Sequence, residues 1–121
     1  MEITAELRQR LLVAQRNEIT EHNIYNRIAA SLPKEENRRV LEQIAADELR
    51  HYNEWKKFTG QDVAPNWLFV WFYVLVARLF GFTFGVKLME QGEEGAQVNY
   101  AEIAKTIPAA VKIHQDEEEH E

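Results

Sequence analysis

The chain has 121 residues, a formal net charge of −6 and no cysteine, and these numbers exclude several classes of protein. The length suits one domain, residues 1–121, and the 45% share of hydrophobic residues predicts a folded core. The missing cysteine excludes disulfides, zinc–thiolate sites and iron–sulfur clusters, so oxygen and nitrogen atoms are the remaining metal ligands. The acidic balance argues against a nucleic-acid partner, which needs a basic face. The charged N-terminus shows no signal peptide, which predicts a cytoplasmic protein.

Three prolines divide the chain into long segments that are rich in helix-forming residues. The first segment predicts a helix over residues 2–30. A second helix should follow Pro33, which suits the first helical turn, and end near Phe58, with Gly60 as its C-cap. Because only a few residues separate these two helices, we expect them to pair as an antiparallel hairpin.

The second half of the chain predicts a long crossover and a second hairpin. A crossover helix should cover residues 66–80, a third bundle helix residues 85–105, and a last helix residues 108–121. No segment alternates with period two for long enough to form a sheet. Two hairpins joined by a long crossover form a ferritin-type bundle. We therefore expect an all-α fold, a ferritin-like four-helix bundle whose long crossover contains an extra apolar helix.

Each predicted bundle helix carries an inward-facing stripe, in which residues recur at alternating steps of three and four, and each stripe includes acids. On the first helix the stripe is Leu7, Leu11, Ala14, Glu18, Glu21, Tyr25, Ile28 and Leu32. On the second it is Leu41, Ile44, Glu48, His51, Trp55 and Phe58. The third and fourth stripes are Val86, Glu90, Glu93, Gln97, Tyr100, Ala104 and Ile107, then Ala110, Ile113, Glu117 and His120.

The acids on these stripes indicate a metal centre. A buried carboxylate costs several kcal/mol unless it is protonated, paired or bound to a cation, and no stripe contains Lys or Arg. Residues three apart share a helix face, so Glu48 with His51 and Glu117 with His120 form two Glu-x-x-His motifs. One Glu from each of two helices, plus a Glu-x-x-His from each of the other two, is the di-iron carboxylate arrangement. Carboxylates and imidazoles suit two iron ions, with manganese as the alternative.

Four segments carry a family resemblance. They are residues 17–22 (Asn-Glu-Ile-Thr-Glu-His), 47–51 (Asp-Glu-Leu-Arg-His), 92–97 (Gly-Glu-Glu-Gly-Ala-Gln) and 117–121 (Glu-Glu-Glu-His-Glu). Over essentially its whole length the chain resembles the rubrerythrin branch of the ferritin-like superfamily. More specifically, it resembles the rubrerythrin-like domain fused in front of a vacuolar-iron-transporter-type membrane domain, also called membrane-bound ferritin. The resemblance implies a domain that binds and oxidises iron, tethered at the membrane by a transporter domain in the same chain.

The resemblance also implies a role for each matching residue. Terminal carboxylates match Glu18 and Glu93, bridging carboxylates match Glu48 and Glu117, and the imidazoles match His51 and His120. On the third helix, Glu90 and Glu94 are alternatives to Glu93. Glu21 is a candidate for an extra ligand or a third metal. Because His120 is the penultimate residue, we expect its helix to continue in a longer chain.

The missing cysteine also bears on the predicted reaction. Rubrerythrins proper carry a rubredoxin domain with Cys-x-x-Cys pairs that supplies electrons, and no such relay exists in this sequence. Iron then becomes the electron source, which predicts a ferroxidase in which O₂ or H₂O₂ oxidises Fe(II) in support of iron transport, storage or detoxification. The alternatives are a rubrerythrin-like enzyme that reduces peroxide with an external reductant, and a non-catalytic iron-sensing or gating domain of a membrane iron transporter.

The crossover contains eleven consecutive apolar residues, 67–77, followed by Arg78. A membrane-spanning helix needs about 20 such residues with few charges, so the run is too short to favour a span. A helix that is apolar all round must be covered on more than one side. This requirement favours burial in a homodimer. The alternative is a helix lying on a membrane surface, as its Trp and Tyr content would suit.

Overall fold

The computed structural model describes residues 4–105, apart from the side chains of residues 92–98 and 100. It contains four helices: α1 (Ala5–Ala30), α2 (Glu35–Thr59), α3 (Trp67–Phe80) and α4 (Phe82–Ala104). No strand occurs within residues 4–105, so the predicted all-α class is confirmed. The predicted fourth bundle helix, residues 108–121, lies outside the described residues, and the ferritin-like bundle with its crossover stays a prediction.

Helices α1 and α2 form the predicted antiparallel hairpin. Contacts join Arg8 to Thr59 near one end and His22 to Ala45 further along, so the residue numbers rise on one helix as they fall on the other. Gly60 ends α2 in the left-handed conformation, with φ of 70°, as predicted for a C-cap. The predicted place of Pro33 in the first turn is wrong, because Lys34 is the N-cap and α2 begins at Glu35. Pro33 lies just before the helix.

Helices α3 and α4 meet at a sharp corner at Gly81. This residue has φ of 94°, which favours glycine, and α4 begins immediately after it. The prediction that the next helix begins at Gly85 is therefore three residues too late. Gly85 lies inside α4, where a Cβ atom would be 3.0 Å from the Cβ of Ala77 in α3. The two glycines thus have different roles, since one turns the chain and the other lets the helices approach.

Helix α1 is the centre of the described fold, because it contacts α2, α3 and α4. Arg10 donates to the Asn99 side chain at 3.1 Å, and Asn99 donates back to the Arg10 carbonyl at 3.2 Å, which joins α1 to α4. The start of α3 is held by Thr20, whose hydroxyl accepts a hydrogen bond from the Asn66 backbone N–H at 2.9 Å. The crossover is therefore attached to the hairpin before α3 begins.

The core lies along the predicted stripes of α1 and α2 and consists of two apolar clusters. The first contains Ile24, Tyr25, Ile28, Ala29, Leu32, Leu41, Ala45, Val70, Val74, Ala77 and Met89. The second contains Leu11, Ala14, Trp55 and Ile103. On α4 the buried residues Met89 and Ile103 each lie one position before a predicted stripe residue, while Glu90 and Ala104 are only partly buried. The inward face of α4 is thus rotated relative to the prediction.

Candidate metal centre

Three predicted ligands come together between α1 and α2. Glu18 lies on α1, and Glu48 and His51 lie one turn apart on α2. All three residues are 0% exposed. One ligand atom from each residue lies within 4.8 Å of the others, and the Nδ1 atom of His51 is 3.5 Å from the Oε2 atom of Glu18. These residues form a group that could hold a metal ion.

The local sequence explains how these side chains meet. The antiparallel register puts residue 18 of α1 level with residues 48–51 of α2. Ala14 and Ala45, each within one turn of a ligand, are fully buried and small, so the two helices can approach closely. On α2, the spacing of three residues sends Glu48 and His51 to the same face. The centre therefore needs only this hairpin to bring three ligands together.

The group lies between the two apolar clusters of the core. The cluster around Ile28 covers it on one side along the hairpin axis, and the cluster around Trp55 covers it on the other. Water is consequently a poor source of solvation for two carboxylates at this depth, and burying such charges costs several kcal/mol each without compensation. A divalent cation bound by both carboxylates would offset their charge, and the imidazole would add a neutral nitrogen ligand.

Two further predicted ligands have described side chains, Glu21 and Glu90, and neither belongs to this three-residue group. Glu21, one turn after Glu18 on α1, is partly buried, and so is Glu90 on α4. Glu93 and Glu94 belong to the α4 backbone, but their side chains lie outside the part of the chain that the structure describes. The remaining two predicted ligands also lie outside it, namely Glu117 and His120.

The contacts of two polar side chains near the group were not predicted. The Nδ1 atom of His22 is 2.6 Å from the carbonyl oxygen of Ala45, which joins α1 to α2 one turn from the group. Gln15 is fully buried, donates to the Gln61 carbonyl at 2.7 Å and accepts from the Thr59 hydroxyl at 2.7 Å. Gln15 is three residues before Glu18, so its place on the inner face could have been inferred from that spacing.

Arg8 completes this polar network at the C-terminal end of α2. Its guanidinium donates to the Thr59 carbonyl at 2.9 Å and to the side chain of Gln61. Carbonyls at a helix C-terminus lack partners within the helix, and a cation there also interacts favourably with the helix dipole. The network therefore fixes the end of α2 against α1 and with it the register that aligns Glu18 with His51.

Comparisons with known proteins give no further indication of function. No helix within residues 4–105 is long and apolar enough to cross a membrane. Neither the protein-family models, nor the curated proteins, nor the solved structures contain a match to this chain.

Proposed function

We propose that this chain binds iron at a carboxylate–imidazole centre and oxidises Fe(II) to Fe(III). The observation that carries the proposal is the buried group of Glu18, Glu48 and His51, whose ligand atoms lie within 4.8 Å of one another. Two carboxylates and one imidazole suit iron, or manganese as an alternative. A buried structural ion pair would need only one carboxylate beside the histidine, so the second carboxylate favours a metal.

The proposed centre holds two iron ions, with the second set of ligands coming from Glu93, Glu117 and His120. Two observations support a second half. Among the four described helices, α2 has close backbone contacts only with α1, although its Trp55 shares an apolar cluster with Ile103 of α4. In the proposed bundle, the second neighbour of α2 is the predicted last helix, residues 108–121. In addition, α4 contacts α1, as the third helix of such a bundle would. In this arrangement Glu48 and Glu117 would each be a ligand to both ions.

Fe(II) is the substrate and the source of electrons in the proposed reaction. Two Fe(II) ions each lose one electron. With H₂O₂ as the oxidant, the two electrons and two protons yield two water molecules. With O₂, the same two electrons and two protons yield one H₂O₂. Metal-binding carboxylates and imidazoles must be deprotonated, so Fe(II) binding would release any proton that these ligands carry.

The proposed cellular setting is the cytoplasmic face of a membrane. There the domain would oxidise iron beside an iron-transporter domain of the same chain. The motifs in residues 47–51 and 117–121, together with the resemblance that they carry, support this setting.

Iron stoichiometry after anaerobic Fe(II) loading tests the binding. The wild type should retain about two Fe per chain. Glu48→Gln should lose both ions, because a bridging carboxylate serves both. The matched control is Glu42→Gln on the exposed side of the same helix, and it should retain the wild-type iron content. Wild-type protein without tightly bound iron would contradict the centre, and loss of a single ion in Glu48→Gln would assign the bridge to another residue.

Stopped-flow absorbance tests the reaction separately. Fe(II)-loaded protein should develop Fe(III) absorbance faster than free Fe(II) when it is mixed with O₂ or H₂O₂, and Glu48→Gln should react like free Fe(II). Stable Fe(II) binding without accelerated oxidation by either oxidant would contradict the ferroxidase and favour an iron sensor.

A further inference from the structure

Helix α3 has apolar residues on two opposite faces. Val70, Val74 and Ala77 are buried and belong to the core that includes α1 and α4. About 180° away around the helix lies a second row, which we call the outer stripe. It consists of Leu68, Phe72, Leu75 and Leu79, all exposed. The described fold thus leaves the outer stripe exposed, although Val76 beside it is buried.

The exposed apolar surface of α3 is large for a chain of this size. Eight of its fourteen residues are large hydrophobic side chains that are 44–79% exposed. Side chains of this size leave roughly 100 Å² each accessible when half exposed, or about 800 Å² together. The largest apolar patch on a typical monomer is about 300–600 Å². A standard protein interface buries about 800 Å² on each partner. The surface therefore matches what a stable dimer needs.

The spacing of the outer stripe suits packing against another helix. Its four residues recur at steps of four, three and four. This is the heptad spacing with which one helix packs lengthwise against another. A helix on a lipid surface carries the same spacing, so it is the exposed area, comparable to one side of a standard protein interface, that favours a second helix.

The charges next to the stripe favour one orientation of that second helix. Residues 63–89 contain Arg78 and Lys87 but no Asp or Glu, so this region is locally basic in an acidic protein. Two parallel copies of α3 would bring both Arg78 side chains to the same level. Two antiparallel copies would separate them by about 14 Å along the helix axis and would also oppose the two helix dipoles favourably.

We propose that this chain forms a two-fold symmetric homodimer in which the outer stripes of two α3 helices pack antiparallel. In this register Leu68 lies opposite the partner's Leu79, and Phe72 lies opposite the partner's Leu75. The interface is self-complementary, as two-fold symmetry requires. Trp67 and Trp71, which lie against Arg27 at 5.5 and 4.7 Å, form one rim of the interface. The proposal does not depend on iron binding.

Light scattering without detergent tests the dimer. The wild-type chain should have twice the 14.2 kDa mass of a single chain. Leu75→Glu should be a folded monomer, because the side chain is 55% exposed within one chain and the charge would be buried only in the dimer. Val40→Glu is the matched control, since Val40 on α2 is also 55% exposed, and it should stay dimeric. A monomeric wild type would overturn the proposal, and so would a Leu75→Glu variant that remains a dimer.

Cysteine cross-linking tests the orientation, because the natural chain contains no cysteine. In the antiparallel register two copies of residue 75 are offset by about 5 Å along the axis, and two copies of residue 68 by about 17 Å. Leu75→Cys should therefore form a disulfide-linked dimer on mild oxidation, whereas Leu68→Cys should remain mostly uncross-linked. Efficient cross-linking of Leu68→Cys would overturn the antiparallel register. A monomeric wild type that binds lipid vesicles through α3 would mean that a membrane surface, and not a second chain, covers the outer stripe.

Discussion

The centre of the α1–α2 hairpin and the outer stripe of α3 depart from the usual distribution of residues in opposite ways. In the hairpin, two carboxylates and a histidine are fully buried. On α3, a row of large apolar side chains is exposed. Each departure is costly for an isolated chain, since buried charge and exposed apolar surface are both unfavourable in water. We propose a different partner for each region, namely iron for the buried group of Glu18, Glu48 and His51 and a second copy of the chain for the outer stripe.

If the two regions are independent, metal should stabilise the hairpin without changing the oligomeric state. Free Fe(II) or Mn(II) at about 100 times its Kd should add about 2.7 kcal/mol to the free energy of unfolding and raise Tm by roughly 10 °C. Calorimetry with and without Mn(II) measures this shift. His51→Ala should abolish most of it. A Tm that does not change when either metal is added would indicate that the buried carboxylates do not bind a cation.

The α3–α4 corner should be sensitive to any side chain at residue 85. A Cβ atom there lies 3.0 Å from Ala77, so Gly85→Leu should destabilise the fold by about 2–3 kcal/mol through overpacking. Thr83→Leu is the control, since residue 83 is exposed on the same helix. Denaturant unfolding gives both values. Because the corner orients α3, Gly85→Leu should weaken dimerisation while iron binding persists. If the variant lost iron binding but stayed a dimer, residue 85 would support the metal centre and not the dimer interface.

A change in the polar network at the end of α2 should lower the stability of the hairpin without changing the oligomeric state. Thr59→Val removes the hydroxyl that donates to the buried Gln15 side chain, and should cost about 1–2 kcal/mol in the free energy of unfolding. Chemical denaturation measures the loss. The variant should remain a dimer at the wild-type concentration. A change in light scattering as large as that of Leu75→Glu would mean that the two regions are coupled.

A substitution in the loop between α2 and α3, which joins the two regions, should have the smallest effect on stability. Hydrogen bonds from Lys56 and then from Tyr52 lower the pKa of Asp62, and the bond to Asp62 raises the pKa of Lys56. The Lys56–Asp62 ion pair is exposed, and exposed ion pairs contribute little to stability. Asp62→Asn should therefore change Tm within experimental error at pH 7.

The pH dependence of that small effect has a definite sign. Because folding lowers the pKa of Asp62, its contribution to the free energy of unfolding is present above pH 3.8, the ordinary pKa. The contribution disappears as the pH falls through the pKa of Asp62 in the folded chain. The raised pKa of Lys56 means that its contribution is present below 10.5 and disappears as the pH rises through the folded value. A Tm difference between Asp62→Asn and wild type that grows below pH 4 would contradict this account.

Periodicity alone predicted the all-α class, the α1–α2 hairpin and the inward placement of Glu18, Glu48 and His51. The stripe of α1 from Leu11 to Leu32 is the face that the structure buries, and the i, i+3 spacing of Glu48 and His51 brings both to Glu18. These predictions succeeded because they depend on local helical geometry. Residues 4–105 contain no strand, so none of their secondary structure depends on pairing between distant parts of the sequence.

The errors concern features that tertiary packing decides. The sequence does not distinguish Gly81, which turns the chain, from Gly85, which allows close packing on Ala77. It also could not set the rotation of α4, because Met89 and Glu90 compete for the inward position and contacts with α1 decide between them. The bond from His22 to the Ala45 carbonyl depends on the register of two helices and left no periodic signal.

Anomalous diffraction from crystals soaked in Fe(II) or Mn(II) would locate metal in the α1–α2 hairpin. We expect a strong anomalous peak bounded by the side chains of Glu18, Glu48 and His51, with a second peak close to the first. In crystals of Glu48→Gln, both peaks should disappear while the hairpin keeps its fold. The crystals should be soaked at metal concentrations that saturate binding in solution. If wild-type crystals then showed no peak between these three side chains, Glu18, Glu48 and His51 would not form a metal centre.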